Sequence, residues 1–108
     1  MDAMVAAPRH HRVLLENDSV RVLETRIEPG EMTPVHTHSW AAAYYVLSWS
    51  DFVRRDDEGA VQLDTRVTPI AVVPGQAIWS GALGPHTFEN VGDAAMHLIS
   101  VEVKPAMP

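Results

Sequence analysis

The chain has 108 residues, a formal net charge of −6, six histidines and no cysteine. This length suits a single domain, and the lack of cysteine excludes disulfides and thiolate metal sites. Acidic residues outnumber basic ones by 14 to 8, which argues against a nucleic-acid partner. No apolar run approaches the roughly 20 residues that span a bilayer, and the first residues lack the basic region of a signal peptide. We therefore expect a cytoplasmic protein that does not interact with membranes.

Short β-strands separated by turns are predicted from residue 12 to residue 104. No segment keeps a helical period beyond one or two turns, and Pro29-Gly30 and Pro74-Gly75 are strong turn signals. We expect strands over 12–15, 19–28, 36–48, 51–55, 60–67, 77–79, 87–90 and 95–103, with a hairpin loop at 56–59. The pattern predicts an all-β barrel or sandwich over 12–104. An N-terminal arm over 1–11 and a C-terminal tail over 105–108 are expected to flank it, with residues 1–9 and 105–108 loosely held or used in oligomer contacts.

Histidine is the unusual feature of the composition. His36 and His38 are two residues apart on a predicted strand, so their side chains share one face. Together with His86 they supply three neutral imidazoles on one side of an ion, which leaves positions open for water or substrate. A simple surface pair is the alternative interpretation of His36 and His38. The other three are assigned no ligand role: His10 and His11, exposed at the start of the first strand, and His97, packed or at a rim.

Two motifs around these histidines resemble those of the cupins. Gly30-x5-His36-x-His38 is similar to the first half of cupin motif 1, and Gly75-x10-His86-x3-Asn90 has the span of motif 2. The resemblance covers about residues 12–104 and implies a small single-domain cupin with the RmlC-like double-stranded β-helix, or jelly-roll barrel. It also implies one divalent metal ion, carried over only onto His36, His38 and His86. The family usually has a glutamate four or five residues after the second histidine, where this chain has Ala42 and Ala43.

The missing glutamate affects the chemistry that such a site favours. Three neutral imidazoles leave the charge of a divalent ion uncompensated, so the site is expected to prefer an anionic ligand. Imidazole ligands suit Fe, Zn, Mn, Ni or Cu, and the sequence does not select among them.

The substrate pocket is predicted from the strand that carries the histidine pair. If that strand is regular, Trp40, Ala42 and Tyr44 lie on the same face as His36 and His38. Tyr44 is the candidate catalytic residue, as acid, base or hydrogen-bond donor, although a role in capping the core is the alternative. Three further side chains complete the expected pocket: Trp40 and Phe88 as walls, and Ala42 as the space vacated by the glutamate.

Arg26 is the expected anion-binding side chain, provided that its strand face points inward. Charged residues alternating along a strand more often mark the solvated face, and this alternative stays open. Asn90 is expected to order a turn through hydrogen bonds to the backbone.

Three functions remain open. The first is a mononuclear metal-binding cupin that binds or oxidises a small anionic metabolite, as dioxygenase-like cupins do. The second is a non-catalytic or degenerate ligand-binding cupin, and the third is a metal-dependent isomerase or lyase. We also expect a homodimer, paired through edge strands and the segment around 10–15, because a short sandwich has edges to cover.

Overall fold

Alternating buried and exposed side chains define the strands of the structure, a computed structural model that describes residues 2–106. In the last strand, for example, Met96, Leu98, Ser100 and Glu102 are buried and the residues between them are not. The elements are α1 (Ala3–Ala6), β1 (His11–Glu16), β2 (Val20–Ile27), β3 (His36–His38), β4 (Ala42–Ser48), β5 (Phe52–Asp56), β6 (Val61–Asp64), β7 (Ala77–Ser80), β8 (Leu83–Asn90) and β9 (Met96–Val103). The all-β prediction is confirmed.

The strands form two antiparallel sheets that enclose the core between them. The five-stranded sheet has the order β1-β2-β9-β4-β7, and the four-stranded sheet has the order β3-β8-β5-β6. Ile27, Val46, Met96 and Leu98 of the first sheet pack with Phe52 of the second. This is the predicted jelly-roll architecture.

The two Pro-Gly turns have the backbone that the sequence predicts. Gly30 and Gly75 have φ angles of +81° and +92°, in the left-handed region that favours glycine. Each turn is followed by a strand or loop that leads to a histidine of the two motifs. The hairpin loop at 56–59 is also confirmed, because it connects the paired strands β5 and β6.

The single long strand expected over 36–48 is wrong. His36–His38 pairs with β8 in the four-stranded sheet, whereas Ala42–Ser48 pairs with β7 and β9 in the five-stranded sheet. Residues 39–41 therefore cross between the sheets, and the face shared by His36 and His38 does not continue into β4. Propensity does not distinguish one long strand from two strands joined by a crossing.

The N-terminal residues 2–11 are packed, contrary to the loose arm expected. Ala3 and Ala7 at either end of α1 are fully buried, and α1 lies against β1 and β3. Asp2 accepts hydrogen bonds from both Nη atoms of Arg21, at 3.0 and 2.7 Å. The boundaries proposed at 11 and 104 stay predictions, and residues 1, 107 and 108 of the arm and tail lie outside the described residues. Within residues 2–106, no helix is long enough to cross a bilayer.

Candidate metal and ligand site

A cavity of about 120 Å³ lies between the two sheets. Its ionisable lining groups are four histidines, Tyr44 and Arg54, and most of its other lining side chains are apolar. Within the described part of the chain, no aspartate or glutamate lines it. The cavity therefore combines imidazole nitrogens, one phenol and one guanidinium in apolar surroundings.

Four imidazoles form one cluster at this cavity. His36 is the direct cross-strand partner of His86, and their ring centroids are 4.4 Å apart. The ring of His38 lies 5.0 Å from that of His36 and 5.5 Å from that of His86. Each of the three histidines singled out in the sequence is buried, so the alternative of a surface pair is excluded.

His11 is the member of the cluster that sequence reasoning missed. Its ring lies 5.0 Å from that of His36 and 5.4 Å from that of His38. Ring nitrogens of His11, His36 and His38 all lie within 4.8 Å of one another, which makes these three the best-defined candidate ligand set among the described residues. The rings of the expected set, His36, His38 and His86, also lie next to one another. By the distance between ring nitrogens, however, His11 and not His86 is the third candidate ligand.

The expectation that His10 and His11 are exposed is wrong, because both are buried. Residues 3–7 pack over the start of β1 and remove these rings from solvent. No motif signals this, since the helix is four residues long and too short for a helical period to be recognised. His97 agrees with its assignment at a rim: its Nε2 lies 2.8 Å from an oxygen of Glu24 on the outer face.

Backbone carbonyls fix the tautomer of three of the clustered imidazoles. The Nδ1 atom of His11 lies 2.9 Å from the carbonyl oxygen of Ala7, that of His36 lies 2.9 Å from that of Pro34, and that of His86 lies 2.7 Å from that of Gly84. A carbonyl oxygen only accepts, so Nδ1 carries the proton in each ring and Nε2 keeps a free lone pair. This is the arrangement that orients histidine ligands in metal sites.

The same three imidazoles are neutral at pH 7. Burial lowers the pKa of His11, His36 and His86 to about 4 in each case. The hydrogen bonds to Ala7, Pro34 and Gly84 oppose this change without reversing it. Metal ligation needs the unprotonated ring, and the site supplies it without a competing proton.

His38 faces a buried carboxylate instead of a carbonyl. Its Nδ1 lies 3.7 Å from Oε2 of Glu102, which is longer than a hydrogen bond, and this oxygen has no hydrogen-bond partner within residues 2–106. The other oxygen accepts a 2.7 Å hydrogen bond from Nε of Arg21. Burial by itself raises the pKa of Glu102, but His38 and Arg21 outweigh it and hold that pKa below its usual value. Sequence reasoning missed Glu102, although its alternation with buried Leu98 and Ser100 marks it as inward-facing.

Tyr44 lines the cavity, and its catalytic role stays a prediction. Burial raises its pKa to about 12, with a further contribution from Glu102. The hydroxyl is therefore protonated at neutral pH and suits the role of hydrogen-bond donor rather than that of base. No hydrogen-bond partner for this hydroxyl is found between residues 2 and 106, so the alternative of a hydroxyl paired within the core is not observed.

Three of the expected pocket residues lie elsewhere. The ring of Trp40 lies beneath Arg21 and Lys104, with cation-to-centroid distances of 5.0 and 5.5 Å, on the segment that crosses between sheets. Ala42 is buried in β4 but does not line the cavity. The side chain of Arg26 is 55% exposed and donates to Glu28, because the opposite face of β2 is the buried one.

The remaining expectations for this region hold. Phe88 lines the cavity on the same strand as His86. Asn90 is buried and its amide donates to the carbonyl oxygens of Ile27 and Ala94, as expected for a residue that orders a turn.

Comparisons with known proteins agree with this architecture. The family described as the cupin domain matches residues 23–102. No curated protein matches the chain. A cupin domain from Bordetella pertussis Tohama I is 22% identical with a TM-score of 0.68, and the match covers 88% of this chain and 92% of that one.

Two further solved structures, of a cyclase and of a predicted decarboxylase, are also similar. The polyketide cyclase RemF from Streptomyces resistomycificus is 25% identical with a TM-score of 0.54, over 91% of this chain and 66% of that one. A predicted oxalate decarboxylase from Thermotoga maritima is 20% identical with a TM-score of 0.51, over 88% and 79%. The identity to the Bordetella and Thermotoga proteins supports a shared fold alone.

Proposed function

The chain belongs to the cupin family, and from this premise we propose that it is a small mononuclear metal-binding cupin that binds or oxidises a small anionic metabolite. The observation that carries the proposal is the orientation of the imidazoles. His11, His36 and His86 each present an unprotonated Nε2 because a backbone carbonyl holds Nδ1.

The residues fit a divalent ion with nitrogen ligands. His11, His36 and His38 would hold it, with the ring of His86 beside them. Such an ion would supply Lewis acidity, and redox chemistry if it is iron. Imidazole donors leave Fe, Zn, Mn, Ni and Cu as candidates.

The charge of the cavity favours an anionic ligand. No carboxylate lines it within residues 2–106, so the protein itself does not neutralise an ion bound to the imidazoles. The buried carboxylate nearest to the cluster, that of Glu102, is already paired with Arg21. An anionic metabolite would provide the missing charge.

A metal-dependent isomerase or lyase is the second candidate function. It is supported by the 25% identity to a polyketide cyclase, of which the match covers 66% of the chain. Such a reaction needs a proton acceptor near the ligand, and the neutral histidine that does not ligate the ion would be available for this role. A non-catalytic ligand-binding cupin is the remaining alternative.

Metal analysis of protein purified without an affinity tag tests the proposal. We expect close to one equivalent of a divalent transition metal per chain, and loss of that metal in His36→Ala. The matched control is His97→Ala, which removes a histidine on the outer face that pairs with Glu24. A metal-free wild-type protein that takes up none of the five candidate ions contradicts the proposal and favours the ligand-binding alternative.

Oxygen uptake separates the two enzymatic candidates. The Fe(II)-loaded protein is assayed against a panel of thiols and diketones, because these anions chelate iron. Oxygen consumption that His36→Ala abolishes supports oxidation. Turnover of a substrate without oxygen consumption supports the isomerase or lyase.

We also propose that the chain forms a homodimer through the edge strand β1. Val13, Leu14 and Leu15 on this strand are 37%, 45% and 52% exposed, and β1 has a single neighbour in its sheet. His10 and His11 take no part, since both are buried within the monomer. Light scattering at micromolar concentration is expected to give twice the chain mass of 11.9 kDa for the wild type and one chain mass for Leu15→Lys. Val61→Lys, at an exposed position on the other sheet, is the control, and a monomeric wild type contradicts the proposal.

A further inference from the structure

Arg54 differs from every other basic side chain described in residues 2–106, because it has no carboxylate partner. The other seven each have a nitrogen between 2.6 and 3.0 Å from a carboxylate oxygen: Arg9, Arg12, Arg21, Arg26, Arg55, Arg66 and Lys104. The Nε atom of Arg54 donates to the neutral side chain of Gln62 at 3.1 Å. Neither Nη atom has a protein acceptor in the described range. The chain has 14 acidic residues, yet none of those described forms an ion pair with Arg54.

The unpaired charge of Arg54 lies at the cavity. It lies on β5 opposite Phe88 of β8, and both side chains line the cavity. Arg54 is half-buried, and this burial lowers the pKa of its guanidinium. Its charge acts on two other lining groups, because it contributes to the lowered pKa of His86 and opposes the increase in the pKa of Tyr44. The guanidinium is therefore electrostatically coupled to the phenol and to the histidine cluster.

A partly desolvated guanidinium without an anion is unfavourable, and a planar carboxylate is the group that matches its donors best. The protonated hydroxyl of Tyr44 adds a further donor to the same cavity. The remaining walls are largely apolar, and Phe88, Ile78 and Leu98 are among them. A suitable ligand has one anionic end and a small apolar body.

We propose that Arg54, assisted by Tyr44, binds the carboxylate of a small organic acid whose apolar part packs against the cavity wall and whose other end reaches the histidines. The cavity volume of about 120 Å³ is somewhat smaller than the ~150 Å³ that accommodates benzene in an engineered protein, so the apolar part of the acid is about the size of a benzene ring or smaller. This inference names the substrate class of the proposed function. Only the placement of the second end at the histidines rests on that function, whereas the carboxylate contact at Arg54 does not.

Titration of the full-length chain with benzoate and isobutyrate tests the inference, with benzamide and isobutyramide as uncharged controls of the same shape. Calorimetry gives affinities, and the Arg Nε–H resonances of the ¹⁵N-labelled protein locate the contact. Both are measured after passage over a chelating resin and again with one equivalent of Zn²⁺, in a buffer free of carboxylate and phosphate. Binding of Zn²⁺ is measured separately on each variant.

We expect saturable binding of at least one acid. The affinity for the corresponding amide is expected to be lower by about tenfold or more. Arg54→Gln is expected to weaken binding of the acid by about tenfold or more and not to weaken Zn²⁺ binding, because it removes a positive charge near the histidines. Arg54→Lys, which keeps the charge but not the fork of donors, is expected to weaken binding of the acid by less. Arg55→Gln is the matched control, because Arg55 neighbours Arg54 but pairs with Glu89 at 2.8 Å. That variant is expected to bind within about twofold of the wild type.

Two outcomes overturn the inference: no saturable binding of either acid, or equal affinity in the wild type and Arg54→Gln. Either can occur with normal Zn²⁺ binding, in which case the proposed metal site stands alone. Conversely, acid binding that depends on Arg54 in a protein that takes up none of the five candidate ions supports the inference and contradicts the metal site.

Discussion

Glu102 lies directly opposite Ala42 in the pairing of β9 with β4, and its carboxylate approaches Nδ1 of His38 to 3.7 Å. The cupin motif would place a glutamate at residue 42 or 43, where this chain has alanine. The neighbouring strand thus supplies a carboxylate beside the same histidine, although this carboxylate does not line the cavity. It acts on the imidazole through its negative charge, because 3.7 Å is longer than a hydrogen bond.

The first prediction concerns this charge. Glu102→Gln removes the negative charge beside His38, and we expect affinity for Zn²⁺ or Ni²⁺ to decrease by about tenfold. This is the lower end of the effect of losing a hydrogen-bonded partner, because the 3.7 Å separation leaves only electrostatic attraction. Competition calorimetry against a chelator of known affinity measures it. Glu16→Gln, which changes an exposed carboxylate paired with Lys104, is the control. Equal affinities of the two variants would mean that Glu102 only neutralises Arg21.

The second prediction concerns His11. Its Nδ1 is held by Ala7 and its ring adjoins those of His36 and His38, so His11→Ala is expected to reduce metal affinity at least as strongly as His86→Ala. The measurement is metal content after dialysis against a weak chelator. Full metal content in His11→Ala, together with complete loss in His86→Ala, would restore the ligand set expected from the sequence.

The third prediction concerns pH and the metal-free protein. His11, His36 and His86 have a pKa of about 4 when folded, against an ordinary value of 6.5. The unfolded chain therefore binds more protons between these values. The free energy of unfolding is retained above about pH 6.5 and decreases as the pH falls toward 4.

Urea unfolding at several pH values between about 5 and 8, above the range in which most carboxylates titrate, measures this dependence. His36→Gln removes one of the three groups, so its unfolding free energy is expected to change less steeply with pH. The comparison uses slopes, because the substitution also changes the stability itself. Parallel slopes in the two proteins would contradict the assignment of His36.

The fourth prediction concerns the turn before the histidine pair. Gly30 has a φ of +81° with open space around its α-carbon, so Gly30→Ala introduces backbone strain without a clash. We expect a loss of roughly 1–2 kcal/mol in the free energy of unfolding. Gly81→Ala, also in open space but without a positive φ, is expected to be neutral or slightly stabilising. Equal effects at both positions would contradict the explanation that the positive φ of Gly30 causes the loss of stability.

Much of the fold could be predicted from local sequence. Alternation along 19–28 identifies the buried face of β2, and the Pro-Gly pairs identify turns whose glycines have positive φ. His36, His38 and His86 could be singled out because the motif spacing is local to two strands that pair directly. The break between His38 and Ala42 could not, since no Gly or Pro marks it and only the pairing partners of the two strands differ.

The all-β class, the three motif histidines and the absence of thiolate ligands follow from the sequence alone, because strand period, turn chemistry and composition are properties of neighbouring residues. Three features follow only from the folded chain: His11 joins the cluster, Glu102 lies beside His38, and Arg54 rather than Arg26 lines the cavity. Each depends on which strand lies beside or across from another, and on the packing of α1 over β1. Contacts between residues far apart in the chain leave no periodic pattern along it, so the charge and ligand set of the cavity emerge only when the two sheets close over the core.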